Sequence, residues 1–286
     1  MSFFRPTRKV RNYSLLSGFD YYVPGWGGMV LLAILLIAGS LLGGIVMLLL
    51  GTFMTKAEVD AYGLLITYPI QFLPAMIYAS YQSRRNAAFD EAFPLDDNRF
   101  GRTGFWPLAL LVIAATIAAA FMTDLATWAL PPMPDYLKDL MENMTSNSPL
   151  WVSLLSVSVM APFFEEWLCR GEIMRGLLHR VKPVWAIVLS ALFFAIIHMN
   201  PWQAIPAFAL GCLFGWVYYK TGSLKLTMLM HCANNTFSVL CSRLDAFKDA
   251  ETWLDVLSPD QYALGFVLSA AIVAGMIYVF SRIPKE

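Results

Sequence analysis

The sequence predicts an all-α, polytopic membrane protein with about eight transmembrane helices in one bundle. Of its 286 residues, 58% are hydrophobic and only 14% are charged, whereas a soluble domain carries about 25% charged residues. The mean hydropathy is +0.58. The apolar residues are collected in runs near the length of about 20 residues that a helix needs to cross a bilayer. These observations favour a chain whose main partner is the lipid bilayer.

Charge and cysteine content exclude several other classes. The net charge is zero, so no nucleic-acid partner is indicated. The four cysteines lie inside apolar segments without the spacing of a zinc site. They are therefore predicted to be small buried residues and not a disulfide framework.

The first three spans follow a basic leader. They cover residues 26–50, 62–81 and 105–125. The first apolar run has no small-residue cleavage site, which favours a retained span over a cleaved signal peptide. Residues 131–146 carry apolar residues at helical spacing. We expect an interfacial segment there, acting either as a lid over a site or as a loop helix with no catalytic part.

The fourth span holds the most unusual stretch of the chain. It starts near residue 149 and contains adjacent carboxylates, Glu165 and Glu166, followed by Arg170. Helical character continues to about residue 180, before Lys182-Pro183 ends it. An acid placed in hydrocarbon costs about 2.5 to 3.5 kcal/mol on insertion scales, so these charges need partners or a task.

The last four spans cover residues 184–198, 203–219, 224–240 and 262–280. The chain is thus divided into a leader with three spans and the interfacial segment (1–148), a central part (149–243), and an acidic loop with the last span (244–286). In this arrangement 16 of the 20 basic residues fall on one side of the membrane. Basic loops stay in the cytoplasm, which predicts that both termini are cytoplasmic.

Polar residues recur at helical spacing in the later spans. Two of the three histidines, His198 and His231, lie in or at the end of apolar runs, and Asn235 follows His231 by four residues. Residues four apart share a helix face. By the same spacing, Arg170 neutralises Glu166 on its own helix, which leaves Glu165 facing elsewhere.

A count along the hairpin suggests what Glu165 faces. Glu165 is 17 residues before Lys182, and His198 is 16 residues after it. If the fourth and fifth spans are antiparallel neighbours, the two side chains stand at nearly the same height. A carboxylate beside an imidazole in a region of low dielectric constant is suited to activating water. His231 and Asn235 can then donate hydrogen bonds to a developing oxyanion, and no serine or cysteine has the surroundings of a nucleophile.

Each polar feature also has a structural explanation. The Glu166 and Arg170 pair can be a buried ion pair, His198 an interfacial residue, and His231 with Asn235 an interhelical hydrogen-bond pair. Three classes of function therefore stay open. They are an intramembrane hydrolase, a non-catalytic membrane protein, and a transporter, which is weakened by the lack of an inverted repeat.

The ordered motifs resemble those of the CPBP intramembrane proteases, the family that contains the type II CAAX prenyl endopeptidases and bacteriocin-processing or immunity (Abi) proteins. The resemblance covers about residues 149–240, and its motifs are Glu165-Glu166-x-x-x-Arg170, Phe194-x-x-x-His198 and His231-x-x-x-Asn235.

This resemblance implies a bundle with a polar cavity inside the membrane, in which a peptide bond of a membrane protein or peptide is hydrolysed. By motif position, Glu165 and His198 would activate water, and His231 and Asn235 would form the oxyanion hole. Glu166, Arg170 and Phe194 would support the site. The resemblance also suggests the bacterial inner (cytoplasmic) membrane, and it leaves zinc open as a cofactor. The alternative function is a non-catalytic protein of the bacteriocin-immunity or scaffold type.

Overall fold

The computed structural model describes residues 16–247, 250 and 252–284, and the regular structure in this part of the chain is entirely helical. The basic leader with Arg5, Arg8, Lys9 and Arg11 lies outside the described residues, as do Lys248 and Lys285. Nine helices follow one another: α1 (Trp26–Leu50), α2 (Lys56–Asn86), α3 (Phe105–Trp128), α4 (Asp135–Met144), α5 (Leu150–Leu178), α6 (Pro183–Ile197), α7 (Pro201–Thr221), α8 (Leu224–Cys241) and α9 (Pro259–Ser281).

The prediction of an all-α polytopic membrane protein is confirmed. Each of the eight expected spans forms a helix, and α1, α2, α3, α5 and α9 are long and apolar enough to cross a membrane. Helix α6 is apolar but shorter. Helices α7 and α8 are long enough, but polar residues such as Lys220 and His231 make them less apolar. The added α4 lies within the segment that was expected at the interface.

Helix α2 is longer at both ends than predicted. It begins at Lys56 because Thr55 and Glu58 form a capping box, in which each side chain binds the other's backbone N–H. It continues to Asn86 through a polar last turn that hydropathy alone does not count. The later helices begin and end where expected: Pro183 opens α6, and Gly222, at a φ of 62°, ends α7 in the left-handed conformation.

Helix α5 lies at the centre of the bundle. Its most apolar window is 61% buried, compared with 17% to 33% for the other four candidate spans. Both α6 and α8 pack against it. Its hydrogen bonding changes to the wider π pattern over Leu154–Met160 and again over Trp167–Met174. The paired carboxylates lie in the α-helical turn between these two stretches, and π segments of this kind are frequent at functional sites.

Small residues allow two helix pairs to approach closely. A Cβ atom on Gly39 of α1 would lie 2.0 Å from the Gln71 carbonyl oxygen of α2. On α7, a Cβ atom on Gly211 would lie 3.2 Å from Ala191 of α6. The second contact brings α7 next to the charged residues of α5.

A buried ion pair near the end of α5 holds the non-helical segments at one end of the bundle. Arg175 lies 3.5 Å from Glu172, one turn away on α5. Its guanidinium also donates hydrogen bonds to the carbonyl oxygens of Phe19, Tyr22 and Phe93. The segment before α1 and the segment after α2 are thereby fixed to the end of α5.

Candidate active site

Four ionisable side chains meet in the interior of the bundle. Glu165, Glu166 and Arg170 come from the middle of α5, and His231 comes from α8. Glu166 and Arg170 are fully buried, while His231 is 4% and Glu165 9% exposed. Burial at this level is tolerated only when charges are paired and hydrogen-bonded, so the partners of each group determine what it can do.

Glu166 and Arg170 form the ion pair that their spacing predicted. Arg170 Nη1 lies 2.7 Å from Glu166 Oε1, and Arg170 Nη2 donates to the Gly211 carbonyl oxygen at 3.0 Å. The guanidinium carbon lies 4.6 Å from the ring centre of Phe194 and 5.4 Å from that of Phe214. Two aromatic faces and a carboxylate therefore surround the cation, which holds Glu166 in one place.

His231 lies between the two carboxylates. Its Nδ1 atom lies 3.2 Å from Glu166 Oε1, within hydrogen-bond distance. Its Nε2 atom lies 3.9 Å from Glu165 Oε2, which is too far for a hydrogen bond. The ring also packs edge to face on Phe194, with ring centres 5.3 Å apart. With Nδ1 as the donor to Glu166, the imidazole is oriented so that Nε2 faces Glu165.

Glu165 points away from Arg170, as its position on the helix predicted. Oxygen Oε1 accepts a hydrogen bond from the hydroxyl of Tyr68 on α2. Oxygen Oε2 is buried and has no hydrogen-bond partner among the residues that the structure describes. The two acids therefore differ in their contacts: each keeps one buried oxygen without a hydrogen-bond partner among the described residues, but only Glu166 of the two is paired with Arg170.

The nearness of His198 to Glu165 stays a prediction. The His198 Nδ1 atom is 2.7 Å from the Phe194 carbonyl oxygen of its own helix. Within the described part of the chain, no hydrogen bond or ion pair joins His198 to Glu165. The hydrogen bond from Ser190 to the Cys169 carbonyl oxygen sets the register of α5 and α6, which puts Phe194 level with Glu165 and the backbone of His198 about one turn beyond it. The His198 ring turns back toward that level, and its centre lies 4.9 Å from that of Phe194.

Asn235 lies one turn after His231 on α8. Its hydrogen-bond acceptor is available because of a proline in α5. Its Nδ2 atom donates to the Val157 carbonyl oxygen at 2.8 Å. Within α5, the N–H of Ala161 donates to Ser156, and Pro162 has no N–H to offer. The Val157 carbonyl is therefore left for a side chain from α8. An amide nitrogen has two hydrogens, so Asn235 keeps one for another acceptor.

The residues of α2 and α7 at this site were not found from the sequence. Tyr68, Phe214 and Gly211 contact the charged groups directly. The available signal was weak: a buried tyrosine needs a partner for its hydroxyl, and Tyr68 lies in an apolar span. No motif links it to residues almost 100 positions away.

The donor groups do not make a set of metal ligands. Among the described residues, no group of three or more His, Cys, Asp or Glu side chains is placed to hold a metal ion. Glu165 Oε2 and His231 Nε2 face each other at 3.9 Å, whereas zinc sites use at least three protein ligands. These residues therefore do not fit a zinc centre as arranged.

Two cavities lie elsewhere in the fold. One of about 300 Å³ borders His179 and Arg180 beyond the end of α5. The other, of about 240 Å³, is apolar and lies between α3 and α9. Neither is lined by Glu165 or His231, and the polar cavity that the resemblance implied stays a prediction.

A comparison with known families matched the part of the chain that holds most of these residues. Residues 147–237 match the family model described as type II CAAX prenyl endopeptidase Rce1-like, a segment that includes α5 to α8 up to Phe237. No curated protein and no solved structure matched the chain. The match supports CAAX-type intramembrane protease activity in general. The resemblance predicted from the three motifs is therefore confirmed, and over residues 147–237 this chain is similar to the type II CAAX prenyl endopeptidases.

Proposed function

We propose that the protein is an intramembrane endopeptidase that hydrolyses a peptide bond of a membrane-associated protein or peptide, lipid-modified or not. One observation carries the proposal. Glu165 is buried beside a neutralised Glu166, and its Oε2 atom faces His231 Nε2 at 3.9 Å with no hydrogen-bond partner among the described residues.

Glu165 is the general base of the proposed reaction. A water molecule can lie at hydrogen-bond distance, about 2.8 Å, from both facing atoms. Glu165 removes one proton from this water as its oxygen bonds to the scissile carbonyl carbon. The carboxylate can take this proton because its Oε1 atom is held by Tyr68, while its Oε2 atom has no hydrogen-bond partner among the described residues.

His231 and Asn235 stabilise the oxyanion that this attack creates. His231 presents an Nε2–H donor on the side of the ring opposite its bond to Glu166. Asn235 contributes its second amide hydrogen. When the intermediate collapses, the carbon–nitrogen bond breaks, and the proton held by Glu165 passes to the leaving nitrogen. The products are a carboxyl group and an amine.

His198 is assigned to the same water. Because Nδ1 is bonded to the Phe194 carbonyl oxygen, Nε2 is left as an acceptor on the side of the ring away from its own backbone. Hydrogen bonds at catalytic sites are often long before substrate binds, so this role does not require a direct hydrogen bond between His198 and Glu165 in the substrate-free protein.

A metal is given no step in this mechanism. Zinc would act as a Lewis acid on the carbonyl oxygen if it were bound, but the donor groups present do not form its usual ligand set. We expect a chelator to leave activity unchanged in the purified protein. Loss of activity on chelation, with recovery on adding zinc, would require a metal mechanism instead.

The proposed enzyme lies in a bacterial inner membrane with both of its termini in the cytoplasm. Its proposed substrate lies in the same bilayer. A farnesylated peptide ending in a CAAX sequence, compared with the same peptide without the lipid, is the direct probe for a prenyl requirement. Cleavage of both at one rate would show that the lipid is not recognised.

Quantitative membrane proteomics tests the function across all membrane proteins at once, so no substrate has to be chosen in advance. Cells with the wild-type protein are compared with cells carrying Glu165→Gln, and with a matched control, Glu142→Gln, at an exposed glutamate of α4. We expect a truncated membrane protein that is present with the wild type and the control and is lost with Glu165→Gln. Removing a general base costs about 100-fold or more in rate.

The alternative of a non-catalytic scaffold or immunity protein makes the opposite prediction. If Glu165→Gln with His198→Ala keeps the wild-type phenotype and the membrane proteome shows no lost product, the peptidase proposal fails. Equal amounts of each variant in the membrane are required for this comparison.

A further inference from the structure

Tyr68 of α2 reaches the candidate site from outside the segment that matches the protease family. Its hydroxyl donates a hydrogen bond to Glu165 Oε1, and α2 ends 61 positions before residue 147. We propose that Tyr68 is a positioning residue that holds Glu165 with Oε2 turned toward the reacting water. This inference rests on the proposed function.

The hydrogen bond makes the two oxygens of Glu165 unequal. Oε1 is occupied by the phenol, while Oε2 has no hydrogen-bond partner among the described residues and lies 3.9 Å from His231 Nε2. A free carboxylate can rotate and exchange its oxygens. A carboxylate bonded through one oxygen keeps the other at the place where the proton is taken, which is the precondition for general base catalysis.

The ring of Tyr68 is itself held in place by aromatic neighbours. Its centre lies 5.6 Å from that of Phe72 and 6.4 Å from that of Phe164. Phe72 stacks on Phe164 at 5.3 Å with an angle of 18° between the rings. Since Phe164 directly precedes Glu165 on α5, the aromatic group fixes the distance between the phenol and the carboxylate.

The close packing of α1 on α2 supports this arrangement from behind. The Thr67 carbonyl oxygen, one residue before Tyr68, lies 3.5 Å from where a Cβ atom on Gly43 of α1 would be. Pro69 follows Tyr68 directly and has no N–H, so α2 lacks one backbone hydrogen bond beside the phenol. The helix is therefore positioned by α1 and not by its own hydrogen bonding alone at this point.

Tyr68 does not touch the atoms that react, so its effect passes through Glu165. A purely structural tie between α2 and α5 is the competing explanation. The two explanations predict different effects of removing the Tyr68 hydroxyl. If Tyr68 positions Glu165, the turnover number falls; if it only ties α2 to α5, the stability of the protein falls.

Tyr68→Phe removes only the hydroxyl and keeps the aromatic packing. Its matched control is Tyr78→Phe on the same helix, ten residues or about 15 Å further along it, where the lost hydroxyl accepts a hydrogen bond from Gln82. The assay uses a synthetic peptide that spans the cleavage site found by the proteomic comparison. For each purified variant, kcat, KM and the melting temperature are measured.

We expect Tyr68→Phe to lower kcat by about 10- to 100-fold, as befits a hydrogen bond to a charged group, with KM within about threefold of the wild type. Its melting temperature should match that of Tyr78→Phe, which should keep wild-type kcat. A fluorinated tyrosine placed at position 68 restores the O–H donor and should recover kcat.

Unchanged kcat in Tyr68→Phe would overturn the proposal, and so would a fall in kcat that is matched by a fall in melting temperature and not recovered by the fluorinated tyrosine. These results are separable from failure of the proposed function. If Glu165→Gln keeps full activity, the function itself is wrong; if Glu165→Gln is inactive while Tyr68→Phe is fully active, only the positioning role is wrong.

Discussion

Two neighbouring glutamates with the same side-chain chemistry make different contacts. Glu166 is paired with Arg170 at 2.7 Å and with His231 at 3.2 Å. Glu165, one residue earlier, is turned by about 100° around the helix. It accepts a hydrogen bond from Tyr68 and faces the Nε2 atom of His231. The supporting charge and the proposed base are thereby separated by a single peptide unit.

The Arg170 ion pair is a test of this division at the scale of the residue. Arg170→Met leaves Glu166 buried without its cation, and we expect a loss of about 3 to 5 kcal/mol in the free energy of unfolding. The double variant Arg170→Met with Glu166→Gln should lose less, because no uncompensated charge stays behind. Unfolding in detergent measures both.

Arg282→Met is the matched control, since Arg282 is exposed and its guanidinium binds the phenol of Tyr278. It should change stability by no more than about 0.5 kcal/mol. Equal stability of the single and double Arg170 variants would contradict the role of the pair.

At the scale of the helix, close contact between α1 and α2 places Tyr68. Gly39→Ala would put a Cβ atom 2.0 Å from the Gln71 carbonyl oxygen, so the helices must separate, at a cost of about 1 to 3 kcal/mol. Gly44→Ala on the same helix meets no atom within 4 Å and should be neutral or stabilising by up to about 1 kcal/mol. The stabilities of the two variants are compared by their melting temperatures. Similar melting temperatures would argue against a close contact between α1 and α2.

The proline that follows the first π stretch of α5 gives a second test on a helix. Pro162→Ala returns a backbone N–H that can bond to the Val157 carbonyl oxygen, in competition with Asn235. We expect equal or higher stability but lower kcat, because the amide of Asn235 loses its anchor. Parallel changes in stability and kcat would show that the proline does not act through Asn235.

At the scale of the whole molecule, the distribution of basic residues predicts on which side of the membrane the two termini lie. Glu91, between α2 and α3, and Glu142, on α4, are both exposed and lie in connections at opposite ends of α3. In a variant without native cysteines, Glu91→Cys should be shielded from an impermeant maleimide in intact cells, and Glu142→Cys should be labelled. The reverse pattern would place both termini outside the cytoplasm.

Much of the fold and part of the site could be predicted from local sequence. Hydropathy and helix-ending residues located each span, because crossing a bilayer requires an apolar run and Pro183 or Gly222 must interrupt a helix. The pairing of Glu166 with Arg170 follows from a spacing of four residues. The extra length of α2 was missed, since its capping box and polar last turn lie outside the apolar run.

The sequence by itself determined the helical membrane architecture, the ion pair of α5 and the three motifs that resemble a protease family, because each depends on residues close together in the chain. Only the tertiary structure decided which side chains meet Glu165. His231 faces it from α8 and Tyr68 binds it from α2, while the ring of His198 bonds to the Phe194 carbonyl oxygen of its own helix. The register between helices is set by contacts such as that of Ser190 with Cys169, and such contacts are not encoded in either helix alone.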